Sequence, residues 1–248
     1  MTPEEIINLP SMPPGNPSYP DGPYRFVDRE YLVITYRTDP AAIRQLLPEP
    51  LEPDGSDTVL YEWIDMPDSS GFGSYSESGV VIPCTFNGEP VNYTAMMFLN
   101  DEPPITAGRE IWGFPKRWGE PRLRVEKDTL TGTLSYAGQQ VALGTMVYKH
   151  ENRLAPNLAD RGKHLKKTQV NLKLIPCVSG AVGMAQLVAY ELTNIEMQFH
   201  YSGDARLHLV PHVNAPVADL PVLEVLEGRH FKANLTLPYG RILHDYLA

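Results

Sequence analysis

The chain has 248 residues, 42% of them hydrophobic, which is enough for one large domain with a substantial core. Thirty acidic residues against 21 basic ones give a net charge of −9, which argues against a nucleic-acid-binding surface and against attraction to anionic membranes. No apolar run approaches the roughly 18 residues of a membrane span, and Cys84 and Cys177 lie in apolar surroundings without a CxxC pair, which predicts buried, reduced thiols in a cytoplasmic protein.

The first 23 residues predict a short helix followed by an extended arm. Residues 9–23 are crowded with proline and glycine, a composition typical of extended rather than regular structure. A second short helix is predicted after Asp39, which can cap it, with Pro40 at the first helical position and apolar residues at helical spacing. Pro48 ends that helix.

Most of the remaining chain has the composition of strands. Strands are predicted at residues 31–37, 59–66, 79–86, 94–99, 169–175, 187–192, 195–201, 206–210 and 230–237. Residues 123–127, 132–136 and 140–148 are separated by short turns and predict a three-stranded meander. Residues 241–247 fit either a helical turn or a strand. So many antiparallel strands favour a closed or strongly curved sheet, because closure removes exposed edges.

Residues 108–117, GREIWGFPKR, place one lysine behind two aromatic residues and a proline. An ordinary lysine amine, with a pKa near 10.4, is neutral about once in 2,500 at pH 7, whereas apolar burial can lower that pKa by roughly 3–5 units. Lys116 is therefore a candidate amine nucleophile. The alternative is that Trp112 and Phe114 are ordinary core residues and that Lys116 reaches past them to water.

The motif REIWGFPK at 109–116 resembles the segment that carries the Schiff-base lysine of acetoacetate decarboxylases. Further similarities to that family run in order along nearly the whole chain. They are GPYRFVDREY (22–31), YRTD (36–39), LPEPL (47–51), YSESG (75–79), MMFL (96–99), DTLTGTL (128–134), YKH (148–150) and DYL (245–247).

The resemblance implies a single domain over residues 1–248, of mainly β (α+β) class, with residues 1–23 as its N-terminal helix and arm. A curved antiparallel sheet would close into a cone-like β-barrel with a few short helices and the site inside. The resemblance also implies a large homo-oligomer, a small β-keto acid as substrate, and neither cofactor nor metal. The implied activity is decarboxylation of acetoacetate to acetone and carbon dioxide through an imine on Lys116.

Three other polar residues match site positions of the resembled family: Glu77 in YSESG, Glu62 in YEW, and Arg29. A carboxyl group in an apolar pocket can stay partly protonated, so Glu77 is expected to transfer protons with Glu62 in support. Arg29 is expected to hold a glutamate in place, because a clamp on the substrate carboxylate would stabilise the ground state more than the transition state. Without the resemblance, each would be assigned a structural role.

Apolar side chains around Lys116 are expected to line a substrate pocket and to desolvate the amine. The candidate wall residues are Phe114, Trp112, Met96, Met97 and Phe98. Arg117 stands where the family often has a second lysine. In an extended segment it would face away from Lys116, which favours burial over charge repulsion as the cause of a lowered lysine pKa.

Other charged residues near these motifs are assigned structural roles. Arg109 and Glu110 are expected to be buried in structural pairs. The run that contains Arg161, Lys163, His164, Lys166 and Lys167 is expected to be a solvated loop.

Two alternatives to acetoacetate decarboxylation stay open. One is a sibling Schiff-base enzyme, such as an aldolase, a dehydratase or another β-keto acid decarboxylase. The other is a non-catalytic β-barrel that binds keto acids, in which Lys116 only pairs with a bound anion. A carrier of that kind would not form a reducible imine.

Overall fold

The computed structural model describes residues 1–153 and 163–248, which form a twelve-stranded sheet, a four-stranded sheet and a few short helices. The helices are α1 (Pro3–Ile7), α2 (Pro40–Leu46) and α3 (Glu102–Ala107). The strands are β1 (Tyr24–Arg37), β2 (Leu51–Pro53), β3 (Thr58–Ser69), β4 (Gly73–Phe86), β5 (Glu89–Leu99), β6 (Lys116–Trp118), β7 (Glu120–Glu126), β8 (Thr129–Tyr136), β9 (Gln139–Val147), β10 (Glu151–Asn152), β11 (Gln169–Pro176), β12 (Val182–Tyr190), β13 (Thr193–Gly203), β14 (Ala205–Leu209), β15 (Glu224–Leu237) and β16 (Arg241–Asp245).

The strands of the large sheet follow the order β10-β13-β15-β1-β3-β4-β5-β11-β12-β16, and β2 and β6 pair with β4 and β5. Neighbouring strands are antiparallel except at β5, which pairs in parallel with both β6 and β11. The prediction of an antiparallel sheet is therefore wrong at this point. The chain is mainly β with a few short helices, as predicted.

The small sheet, β14-β9-β8-β7, covers one face of the large one. Alternate residues such as Leu32 and Ile34 on β1 point toward it. Trp63 fills the space between the sheets. A Cβ atom on Gly132 would lie 2.3 Å from the Trp63 ring, and one on Gly144 would lie 2.4 Å from it. These two glycines let the small sheet approach the indole closely, so this face is a packed core.

The opposite face of the large sheet carries a second apolar cluster, which includes Tyr31, Val33, Met97 and Phe231. Because successive strand residues face opposite ways, Val33 lies in this cluster while its neighbours Leu32 and Ile34 lie in the other. The candidate site is on this second face.

The local signals in the sequence correspond to the observed helices and strands in most places. The Asp39 side chain accepts a hydrogen bond from the Ala41 N–H at 2.8 Å and so caps α2. The predicted meander is β7–β9, and residues 241–245 form a strand rather than a helical turn. No helix of the described residues is long and apolar enough to cross a membrane.

One prediction about the thiols is wrong. Cys84 is buried in β4, but Cys177 is exposed. Cys177 follows the last residue of β11 and its N–H donates to the Ala181 carbonyl at 2.7 Å, so it belongs to the turn before β12. A residue in a turn is not buried by strand alternation.

Candidate active site

A cavity of about 270 Å³ lies on the second face of the large sheet. Seven consecutive strands, from β15 through β1 to β12, contribute side chains to its lining. Lys116, the first residue of β6, also lines the cavity. Such a size fits a small organic molecule with room for water.

The backbone around Lys116 explains how the lysine reaches the cavity. Helix α3 continues into a π-helical turn at Gly108–Trp112, and Gly113 then adopts φ 72°, which ends the helical path. The chain becomes extended at Lys116, where β6 begins beside Met97 of β5. The Lys116 carbonyl accepts a hydrogen bond from Arg109 at 3.1 Å, which ties the strand back to the turn.

Strand register places Glu62 and Glu77 on the face that carries Lys116. Lys116 lies next to Met97, Met97 next to Gly79, and Gly79 next to Glu62, in one row across four strands. Glu77 lies two residues before Gly79 on β4 and so points the same way.

A β-bulge directs Arg29 into the cavity. On β1, three residue steps from Phe26 to Arg29 oppose only two on β15, and Asp28 within the bulge has φ 57°. The extra residue changes which face the following side chains occupy. Both Phe26 and Arg29 line the cavity as a result.

Lys116, Glu77 and Arg29 form a buried chain of charges. The Nζ atom of Lys116 lies 2.7 Å from Oε1 of Glu77, and Nη2 of Arg29 lies 3.8 Å from Oε2 of the same carboxylate. Lys116 is 6% exposed and Glu77 is 3% exposed. The short contact between Lys116 and Glu77 is therefore a buried ion pair.

Aromatic rings surround both cations. Lys116 Nζ lies 4.9 Å from the centre of the Phe114 ring and 5.9 Å from that of Tyr75. The Arg29 guanidinium carbon is 5.0 Å from the ring centres of both Phe26 and Tyr31. These rings exclude water while their faces still attract the cations.

The pKa values of the two cations shift in opposite directions overall. Burial lowers the pKa of Lys116, and Arg29 lowers it further, while Glu77 acts in the opposite direction without reversing the result. Burial also acts to lower the pKa of Arg29, but the surrounding acidic and phenolic groups, Tyr31 and Glu77 first among them, together raise it by more, so the guanidinium stays charged. The amine is therefore the group that can lose its proton.

Glu62 is a carboxyl group that titrates near neutrality. Burial raises its pKa from 4.5 to about 7, although Arg29 and Arg229 act to lower it, and Glu77 adds to the rise. Among the residues of 1–153 and 163–248, none forms an ion pair with Glu62 within 4.0 Å. The side chain can therefore carry a proton at neutral pH.

The structure separates the predicted wall residues into two groups. Phe114 and Met97 line the cavity, whereas Met96, Phe98 and Trp112 do not, which corrects the prediction for those three. On β5 the step from Thr94 to Met96 opposes a single step on β4, so a bulge at Ala95 changes which residues face the cavity. Met96 and Phe98 consequently pack between the sheets.

Trp112 lies behind the cavity wall. Its Nε1 donates to the Pro238 carbonyl at 2.9 Å, and its ring stacks on Tyr239 with centroids 6.3 Å apart. It therefore anchors the π-helical turn to the end of β15.

Charged residues next to the lysine motif point away from the cavity. Arg117 donates to the Asn214 carbonyl at 2.6 Å and to the Tyr136 hydroxyl at 2.9 Å, so its predicted orientation away from Lys116 is confirmed. Arg109 and Glu110 are exposed, and the prediction that they are buried is wrong because both belong to the surface of the π-helical turn.

The sequence did not indicate two cations that line the cavity, Arg229 and Lys167. Arg229 could have been found from its spacing, because it lies two residues before the buried Phe231 on β15. Lys167 belongs to the run that was expected to be a solvated loop, and burial instead lowers its pKa. Lys163–Lys166 form a 3₁₀ turn, and Arg161 lies outside the described residues.

The sequence model of the family described as acetoacetate decarboxylase matches residues 8–247. Acetoacetate decarboxylase of Burkholderia mallei strain NCTC 10229 is 52% identical over 238 residues, which cover 96% of this chain and 95% of that protein. The chain belongs to the acetoacetate decarboxylase family.

Solved structures of the acetoacetate decarboxylase family share the fold along the whole chain. One structure of acetoacetate decarboxylase superposes with a TM-score of 0.95 at 40% identity and covers 100% of both chains. The acetoacetate decarboxylase of Legionella pneumophila subsp. pneumophila strain Philadelphia 1 superposes with a TM-score of 0.91 at 42% identity, over 97% of this chain and 94% of that one. The family resemblance seen in the sequence is confirmed.

Proposed function

We propose that this protein decarboxylates acetoacetate to acetone and carbon dioxide through an imine formed on Lys116. The observation that carries the proposal is the buried contact of 2.7 Å between Lys116 Nζ and Glu77 Oε1 in a cavity of small-molecule size. The relative from Burkholderia mallei, 52% identical, is an acetoacetate decarboxylase by name, which supports the same substrate here.

The first step needs a neutral amine. Burial disfavours the ammonium form of Lys116, and Glu77 Oε1 is within reach to accept its proton. The amine then attacks the ketone carbon of acetoacetate to give a carbinolamine. Protonation of the carbinolamine hydroxyl by the Glu77 carboxyl group releases water and leaves a protonated imine.

The second step breaks a carbon–carbon bond. The bonding electrons between the carboxylate and its neighbouring carbon move into the protonated imine, which releases carbon dioxide and leaves a neutral enamine. This step dissipates the negative charge of the substrate. Arg29 acts best by orienting Glu77, 3.8 Å away, because a tight clamp on the carboxylate would stabilise the ground state.

The third step returns the enzyme to its starting state. An acid protonates the enamine carbon, water adds to the resulting imine, and acetone leaves as the Lys116 amine is restored. Glu77 is the nearest acid, and Glu62, with a pKa of about 7, can resupply its proton at neutral pH. The two carboxyl groups therefore have related but separate roles in proton transfer.

Charge in the cavity favours an anionic substrate although the whole chain carries −9. The cavity is lined by the cationic side chains Arg29, Lys116, Lys167 and Arg229 and by the carboxyl groups Glu62 and Glu77. The local excess of positive charge would raise the concentration of a small anion there.

We also propose that the large sheet wraps around the cavity as a cone-like β-barrel, in one domain of residues 1–248. The support is that seven consecutive strands line one cavity, and that Phe114 packs against Tyr190 of β12 with ring centres 5.3 Å apart.

We propose a homo-oligomer in the cytoplasm. The exposed apolar residues Val178 and Val182 support the homo-oligomer. The two free thiols support the cytoplasmic location.

The test is to mix the protein with acetoacetate and borohydride and to locate any adduct by mass spectrometry. An isopropyl group on Lys116 is expected, because reduction would trap the imine of acetone after carbon dioxide has left. Lys116→Ala should abolish the adduct. Lys173→Ala is the matched control, because Lys173 is another partly buried lysine but binds the Ile111 carbonyl at 3.2 Å outside the cavity lining.

The same experiment separates the alternatives. A sibling Schiff-base enzyme would leave acetoacetate unconsumed and would give a Lys116 adduct with another keto acid, such as pyruvate. A carrier would give no adduct with either compound. Both outcomes would contradict the proposed reaction.

A further inference from the structure

Gly108 lies directly against the side chain of Lys116. A Cβ atom at Gly108 would lie 2.6 Å from Cδ of Lys116, 2.9 Å from Cε and 3.2 Å from Nζ. Ordinary carbon contacts are about 3.5–4.0 Å. The lysine therefore occupies the space that any other residue at position 108 would fill.

The backbone does not require glycine at this position. Gly108 has φ −60° and ψ −44°, which is right-handed helical geometry that alanine adopts readily. Gly113, in contrast, has φ 72°, where glycine is favoured for its conformational freedom. The reason for glycine at position 108 is thus the packing of Lys116.

Gly108 is also held in place by its neighbours. Its carbonyl accepts hydrogen bonds from the N–H of Gly113 and from that of Phe114, the latter at 3.0 Å. These bonds fix Gly108 relative to the start of β6. A methyl group at position 108 could not be accommodated by a shift of the turn without breaking them, so the flexible end of Lys116 would move instead.

We propose that Gly108 is a positioning residue, whose missing side chain leaves the channel through which Lys116 extends to Glu77. This inference rests on the proposed imine chemistry for its catalytic consequence. A methyl group at 2.6 Å from Cδ must displace the lysine by about 1 Å to reach normal contact, and misplacement by that distance can lower a rate about 100-fold.

The catalytic test compares Gly108→Ala with Gly203→Ala in the full-length protein. Gly203 is a steric control, because its Cβ would lie 2.5 Å from Cγ2 of Val147, and neither residue lines the cavity. We expect Gly108→Ala to lower kcat about 100-fold with a smaller change in KM, and Gly203→Ala to stay within about threefold. A kcat for Gly108→Ala within about threefold of wild type would overturn the inference.

A second test does not depend on the substrate. Gly108→Ala and Lys116→Ala form a double-mutant cycle on the thermal midpoint. If the methyl group meets only Lys116, Gly108→Ala should be neutral or stabilising in the Lys116→Ala protein, since alanine is the better helix former. Equal destabilisation in both backgrounds would show that the methyl group meets another part of the structure, and would overturn the inference.

These readouts separate the two proposals. A wild-type protein that does not consume acetoacetate contradicts the proposed function, while the double-mutant cycle still decides whether Gly108 makes room for Lys116. A wild-type protein that is active, with a Gly108→Ala variant equally active, contradicts only the positioning role.

Discussion

Replacing Glu62 with glutamine tests the electrostatics of the cavity directly. Glutamine keeps the size of the side chain and removes its ability to ionise. Glu62 has a pKa raised from 4.5 to about 7 because burial disfavours the carboxylate. At pH 8 the wild-type protein therefore contains a carboxylate in an unfavourable site, and the Glu62→Gln variant does not.

The raised pKa sets the size and sign of the expected effect. Between pH 4.5 and 7 the folded protein holds a proton on Glu62 that the unfolded chain has lost, so wild-type stability falls as the pH rises through this window. The window spans about 2.5 pH units, at 1.36 kcal/mol each, which gives about 3.4 kcal/mol. The free energy of unfolding of Glu62→Gln should therefore rise by that amount relative to wild type.

Urea denaturation at a series of pH values from 4 to 8 measures this difference. One fixed protein concentration is needed, because the apparent stability of an oligomer depends on concentration. Glu89→Gln, at the exposed start of β5, controls for the loss of one surface charge. A difference that stays constant across pH 4.5–7 would refute the burial argument, and one that falls would mean that Arg29 and Arg229 outweigh burial.

Three further predictions concern turnover of acetoacetate. Lys116→Ala should abolish turnover and keep the circular dichroism spectrum of the wild type, and more than about a tenth of the activity would contradict the imine assignment. Glu77→Gln should lower kcat by about 10²–10⁴-fold in steady-state assays. Arg117→Ala should lower kcat by less than about threefold. A larger loss of kcat in Arg117→Ala than in Glu77→Gln would support charge repulsion by Arg117. Burial lowers the pKa of Lys116, so kcat/KM should rise with pH through an apparent pKa below the usual lysine value. An apparent pKa at the usual lysine value would contradict the lowered pKa of Lys116.

Local sequence signals predicted the fold well where they act within a few residues. Asp39 and Pro40 specify the start of α2, and the closely spaced strands at 120–147 form the meander in their predicted order. The parallel pairing of β5 with β6 and β11 was missed, because β6 is a three-residue strand reached through a helical connection and β11 is far from β5 in sequence, so neither pairing leaves a local pattern. Pairing between distant segments depends on tertiary packing.

The site was predictable in its composition but less so in its walls. Lys116, Glu77, Arg29 and Glu62 all line one cavity, and each was indicated by the family resemblance. The choice between Met96 and Met97 depended on a bulge at Ala95 that alternation alone cannot reveal. A single extra residue reverses the face of every side chain that follows, so wall residues after a bulge are assigned wrongly even when the strand itself is predicted correctly.

The arrangement of charges explains how Lys116 can be both paired and reactive. An ion pair with Glu77 alone would hold the amine protonated, but burial and the nearby Arg29 favour its neutral form. Because Arg29 is 3.8 Å from the same carboxylate, Glu77 keeps a cationic partner after Lys116 has lost its charge. In the proposed mechanism the Glu77 carboxyl group becomes a carboxylate again each time it gives its proton to the substrate. Arg29 then pairs with that buried charge although Lys116 carries none, and Glu62 supplies the next proton.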